Sequence, residues 1–292
     1  MKRIEMSVLL RLHDAVTLPT LLYNAETWVL NKGEKKEIDK TEVWAWKTML
    51  GVPKTTPTVA IIFATGALYA SIRVEMRQLL YLQKVLKKGN SHWALITLNT
   101  VKEKNIGWAK NVCETLDAWN LEGDWRKIAG FSGKEWGGMV KEAAELKNKE
   151  RMKEDCYTKI RGQERGKTKT RSLIQILDDS SYQRGPSEFI KLNNVLLARA
   201  MIMGRYGMLQ CAANFEKSYG GKNCKECGVL DDENHRINDC KTFKDINLYN
   251  EDNKIDYNLI YSENSEQCLK VVEYILILWD LGNGRNTMRC SH

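Results

Sequence analysis

Late in the chain, three cysteines and a histidine follow the pattern Cys-x2-Cys-x7-His-x4-Cys, formed by Cys224, Cys227, His235 and Cys240. Thiolates and imidazole are soft-to-borderline ligands, and three sulfurs with one nitrogen form a recognised structural zinc set. Two cysteines separated by two residues place both sulfurs on one ion through a tight turn. Gly228, directly after the second cysteine, suits the positive φ that such a turn requires. Tetrahedral closure without further ligands favours zinc over copper or iron. All four positions are filled by protein, so the expected role is one structural ion rather than a catalytic one. Its binding should supply on the order of 10 kcal/mol or more of local folding free energy. The chain has only four histidines, and one of them falls at this spacing, which coincidence explains poorly. A redox Cys-x2-Cys would need a strand before it and a helix after it. Lys222-Asn223 and Gly228-Val229-Leu230-Asp231 supply neither. The other five cysteines, Cys113, Cys156, Cys211, Cys268 and Cys290, form no second cluster and are read as reduced thiols.

A second group with chemical potential is basic. Lys159, Arg161, Arg165, Lys167, Lys169 and Arg171 stand against a single acid, Glu164, and hydrophobic periodicity is lost there. Gly162 and Gly166 make the segment a flexible loop or hinge. It suits either phosphate binding or a solvated linker. The chain carries a net charge of +8, unevenly spread. Residues 1–223 hold 37 basic and 24 acidic side chains, whereas residues 224–292 hold 8 and 13. A basic body points to a polyanionic partner, of which nucleic acid is the commonest. The acidic tail around the cysteines is by itself a poor phosphate binder.

The elements that must position these groups read as helices. Hydrophobic residues make up 43% of the chain, enough for a core, so wholesale disorder is not expected. Only four prolines occur, and long charged side chains abound. Asn31-Lys32-Gly33 reads as a turn. Beyond it, Ile38, Glu42, Ala45, Trp46 and Met49 share a helical face, and Gly51 suits a C-terminal cap. Thr56-Pro57 can start the next helix, and residues 73–88 form another with Leu79, Leu82 and Leu86 on one side. Trp93, Trp108, Trp119, Trp125 and Trp136 are read as core. A strong helix is expected over 188–203, with Gly204 capping or bending it, and a last one over 265–281. The uncharged stretch 55–72 is at the lower edge of spanning length, but its Pro, Gly and threonines favour buried protein structure over a membrane span. No secretory signal is visible, and reduced thiols fit an intracellular protein of nucleus or cytoplasm. Expected regions are 1–90, a helical bundle; 91–171, a Trp-rich and charged connector with a basic hinge; and 172–292, C-terminal helices around the knuckle at 220–244.

Several blocks in order resemble a known family. Thr20-Leu21-Leu22-Tyr23-Asn24-Ala25-Glu26-Thr27-Trp28 resembles a segment that follows the palm in reverse transcriptases of non-LTR (LINE-type) retrotransposons. Glu42-Val43-Trp44-Ala45-Trp46-Lys47 with Met49-Leu50-Gly51-Val52-Pro53 resembles the next family block. Thr55-Thr56-Pro57, Thr65-Gly66 and Leu79-Leu80-Tyr81-Leu82 follow suit, as do Arg205-Tyr206-Gly207-Met208, Asn214-Phe215 and Tyr219 ahead of the knuckle. One departure is Asn24 where the family has Gly, and Asn tolerates a left-handed backbone. The resemblance covers residues 1–90 and about 80 near the C-terminus, and fits only loosely over 91–171.

By resemblance, residues 1–90 are thumb-like and the chain runs from thumb to CCHC knuckle of an endonuclease–reverse transcriptase. The family's paired palm aspartates precede the first block, and only residues 1–19 precede it here. Ile176-Leu177-Asp178-Asp179 lacks the aromatic of that motif and lies in the wrong place, and Asp231-Asp232 falls inside the knuckle. The resemblance therefore implies a part that is not an enzyme on its own. It would bind RNA and DNA template–primer without sequence choice, with the missing palm-bearing part of a reverse transcriptase as a further partner. The alternative is a zinc-stabilised protein-interaction module, or the inert product of a degenerate element.

Overall fold

The computed structural model describes residues 6–89, 92–162, 177, 195–205, 220–232, 235–241, 271–272 and 275. The described residues are mostly helical and contain no strand. The mainly α fold expected from composition is therefore observed. Among the described residues, no single helix is long and apolar enough to cross a membrane. In the uncharged stretch, residues 58 and 57 are only half-buried, but 59–72 are buried throughout.

The chain divides into two compact units that interleave along the sequence. One comprises residues 10–46 and 66–185, the other residues 1–9, 47–65 and 186–292. Helices from 1–90 and from 91–171 share one unit, because the core of that unit is built by side chains far apart in sequence.

Helix α1, Met6–Leu12, runs across the boundary between the units; in the first unit a turn of wide pitch at His13–Thr17 then leads into α2, Leu18–Leu21. A tight turn, Ala25–Thr27, follows. Asn24 before it has φ 56° and ψ 25°, the left-handed conformation foreseen for it. Helix α3, Lys32–Leu50, starts where a turn was expected. Asn31 is its cap: the Asn31 Oδ1 accepts from the N–H groups of Gly33 (2.8 Å) and Glu34 (3.0 Å). Glu34 Oε2 reaches back to the Asn31 N–H at 2.7 Å, a reciprocal capping box.

Helix α4, Thr58–Thr65, belongs to the second unit and is preceded by Pro57 as expected. Helix α5, Ala70–Leu86, is the hub of the first unit. Around it pack α7, Gly107–Ala118, α8, Trp125–Gly130, and α9, Gly133–Gly162, while α6, Trp93–Glu103, packs mainly on α7. Side-chain amides and rings of this unit satisfy backbone carbonyls across it. Gln83 Nε2 donates to the carbonyls of Ile128 and Phe131, and Trp136 Nε1 donates to that of Leu79 at 3.0 Å. Trp119, Trp125 and Trp136 are core residues as expected, and Trp108 is half-buried, its Nε1 donating to Glu26 O at 2.7 Å. Trp93 is not core: at the start of α6 it is 73% exposed.

In the second unit α4 packs against α10, Val195–Arg205. Gly204 lies inside α10 rather than beyond its end. Gly51 closes α3 with φ 63°, the left-handed cap that glycine adopts without steric cost. Residues 188–194 of the helix expected over 188–203, and most of the one expected over 265–281, lie outside the described residues; Val271, Val272 and Ile275 in the latter are buried.

Candidate metal centre

The four residues singled out by spacing come together in the second unit. Their ligand atoms, three Sγ and one imidazole nitrogen, all lie within 4.8 Å of one another. Local backbone structure explains how. Around Cys224 and Cys227 the chain folds into a tight turn, with the Gly228 N–H donating to Cys224 O at 2.9 Å and the Cys224 N–H to Val229 O at 2.8 Å. Asn223 and Leu230 face each other as an antiparallel pair across that turn. Gly228 has φ 73°, as the sequence required. His235–Asp239 then makes a single wide helical turn, and the Cys240 N–H closes it onto His235 O at 2.8 Å. An i to i+5 bond is what four intervening residues need to carry the last ligand back beside the histidine.

Two acids that the spacing did not explain set this turn. The Asp232 Oδ1 accepts from the His235 N–H at 2.8 Å and so caps the turn. Asp231, 3% exposed, holds Arg236 in a two-pronged pair, Nε to Oδ1 at 2.8 Å and Nη2 to Oδ2 at 2.7 Å. The first has a sequence signal, an Asp three residues ahead of a turn start. The second, five residues apart and bridging loop and turn, has none.

The chemistry of the cluster suits a cation. His235 and Cys240 are buried, and Cys224 and Cys227 are half-buried. His235 Nε2 is buried without a hydrogen-bond partner, a costly state for a polar atom unless something else binds it. Cys224 and Cys240 Sγ stand 3.8 Å apart, far beyond the roughly 2.05 Å of a disulfide. Burial raises the Cys224 thiol pKa, but the His235 imidazole and the N–H groups of Cys227 and Glu226 outweigh it and bring the pKa down to about 7. Lys241 N–H donates to Cys227 Sγ at 3.3 Å. The loop thus presents donors to sulfur, which favours the thiolate form that binds metal. Cys224, Cys227, His235 and Cys240 can hold one metal ion.

The proposed phosphate contacts are placed only in part. Lys159 and Arg161 fall in the last turns of α9, which runs on to Gly162. The helix therefore continues past the point where the sequence places a loop. Arg165, Lys167, Lys169 and Arg171 lie outside the described residues, as do Asp178 and Asp179. Cys113 is half-buried and Cys156 buried, and both are reduced, as expected.

No protein-family model, curated protein or solved structure matches this chain.

Proposed function

We propose that the protein is a non-catalytic nucleic-acid-binding chain, related to the thumb-to-knuckle part of a non-LTR retrotransposon reverse transcriptase, and that its Cys3His cluster is a structural zinc site. The observation that carries the zinc reading is the convergence of four ligand atoms, one of them from a buried imidazole whose Nε2 has no hydrogen-bond partner. The spacing agrees quantitatively: two sulfurs each about 2.3 Å from one zinc at a tetrahedral angle stand about 3.8 Å apart, and Cys224 and Cys240 are at 3.8 Å. Zinc there would fix the loop and supply no open coordination position.

The surface of the knuckle supports binding of a polyanion better than its net charge suggests. Asp231 is turned inward onto Arg236, and Asp232 is engaged by the backbone of His235. Neither acid is free to hold catalytic metal ions. Among the described residues, exposed side chains include Lys222, Lys225, Lys241, Val229 and Leu230, with the acids Glu226 and Asp239. Bases and sugar–phosphates can meet that mix of cation and apolar contact. The basic body upstream adds affinity without sequence choice. In cells, the partners would be RNA and DNA.

Gel shifts with single-stranded RNA and with a template–primer duplex test the reading. Binding should weaken steeply with salt, and R165E/K167E/K169E should reduce it at least tenfold. A variant that binds as tightly as the parent would instead favour contacts to protein, for which exposed Val229 and Leu230 are the natural tip. Metal-dependent primer extension by this chain would overturn the non-catalytic part.

A further inference from the structure

A second set of polar groups, away from the cysteines, is buried without use. His13, on the turn before α2, is 0% exposed, as is Glu42 on α3. The His13 ring stacks on Trp46, centroids 3.9 Å apart and planes within 25°. That stack holds the imidazole in place, with its Nε2 3.7 Å from Glu42 Oε1. Neither Nε2 nor either Glu42 oxygen has a hydrogen-bond partner of normal geometry. The Ala70 N–H bears on Glu42, but a buried carboxylate and a buried imidazole nitrogen so weakly matched are costly to keep.

The other ring nitrogen decides which proton is missing. His13 Nδ1 lies 3.4 Å from Asp14 Oδ1, and Asp14 is 72% exposed to water. An ionised Asp14 favours the tautomer with the proton on Nδ1. Nε2 then offers a lone pair toward Glu42, and a lone pair facing a carboxylate repels it. One proton between Oε1 and Nε2 removes the conflict. The charged groups around the pair are few. From α5, Arg73 Nε stands 3.7 Å from Glu42 Oε1. From α3, Asp39 adds a like charge, itself held by Arg151 of α9. From the turn of His13, only Asp14 bears on the pair.

We propose that Glu42 and His13 form a buried proton-binding pair that holds one proton, donated by Glu42 to His13 Nε2, and releases it as pH rises, when ionised Glu42 faces Arg73. Burial, opposed by Arg73, pushes the Glu42 carboxyl up to about 7, and burial pushes the His13 imidazole down against the pull of Asp14. Both directions put the proton on the carboxyl. The site lies in the other unit from the cysteine cluster and stands whether or not that cluster binds metal.

Infrared pH-difference spectra of the full chain test it. A carboxylic-acid C=O band should titrate with a midpoint near pH 7 and be absent from Glu42→Gln. No protonated carboxyl above pH 6, or a band that persists in Glu42→Gln, overturns the proposal. If Glu42→Gln does not fold, Glu42→Asp withdraws the carboxyl from Nε2 by one methylene. The midpoint must then move by about half a unit or more, and an unmoved midpoint overturns the proposal equally.

Discussion

Removing Arg151 should leave a buried anion behind, and the cost should depend on pH. Asp39 is 3% exposed. It accepts from the Ser71 N–H at 2.8 Å, the Ser71 hydroxyl at 3.1 Å and Arg151 Nη2 at 2.5 Å. Arg151 also donates to Ser71 Oγ at 2.6 Å and lies over the Tyr69 ring, 4.3 Å from its centroid. Breaking a buried pair costs about 3–5 kcal/mol. The Arg151 side chain is 31% exposed, so the low end, about 3 kcal/mol, is expected for Arg151→Met at pH 8. Burial already holds the Asp39 carboxyl above its ordinary value, despite Arg151 and Ser71. A raised pKa means a contribution that is present below the unfolded value of 3.8 and lost as pH rises through the folded one. Arg151→Met raises that folded pKa further, so the gap to the parent widens with rising pH and narrows toward pH 4, to about 1 kcal/mol of lost packing. Urea unfolding followed by helical circular dichroism at several pH values reads the gap. In a Asp39→Asn background, Arg151→Met should cost about 1 kcal/mol at every pH. A gap that is flat with pH, or equal in both backgrounds, would refute the reasoning.

Other outcomes follow from single sites. Glu42→Gln should gain on the parent by up to about 3 kcal/mol between pH 4.5 and 8.5, because the parent's raised Glu42 pKa forfeits stability as pH climbs through about 7; paired urea titrations show it. Trp136→Ala removes a fully buried indole and its bond to Leu79 O, and should cost about 3–5 kcal/mol by the same assay. Gly228→Ala meets no neighbouring atom but forces φ 73° on alanine, a strain of about 1–2 kcal/mol that should weaken metal affinity roughly tenfold in a chelator competition. Asp231→Ala, which releases Arg236 from the knuckle, should weaken it about tenfold or more.

How much of this was legible depends on the reach of the interactions. The candidate metal ligands span only residues 224–240, and local turn geometry joins them, so spacing alone announced the cluster. Gly51, Asn24 and Gly228 were legible for the same reason, since each answers to its own φ. Asn31 was misplaced as a turn because a capping box and a turn use the same residues, and only Glu34 reaching back tells them apart. The Asp39–Ser71–Arg151 network joins positions 32 and 80 or more residues apart. No periodicity marks such pairs. Glu42 sat on the apolar face of α3 and looked like an ordinary helix residue, while its partner His13 arrives from another element. The packing of α5 against α7, α8 and α9 was also hidden, because it joins residues far apart in sequence. Trp93 shows the limit of composition, since an indole at a helix start can face water.

The central claim is that Cys224, Cys227, His235 and Cys240 bind one ion in a closed tetrahedron, and cobalt titration of the reduced, metal-free full chain tests it most directly. Expected are saturation at one equivalent, with intense visible ligand-field bands of tetrahedral cobalt, thiolate charge-transfer absorption, displacement by zinc, and loss of the tetrahedral spectrum in Cys240→Ser. Weak bands of octahedral cobalt, or an unchanged spectrum in Cys240→Ser, would contradict it.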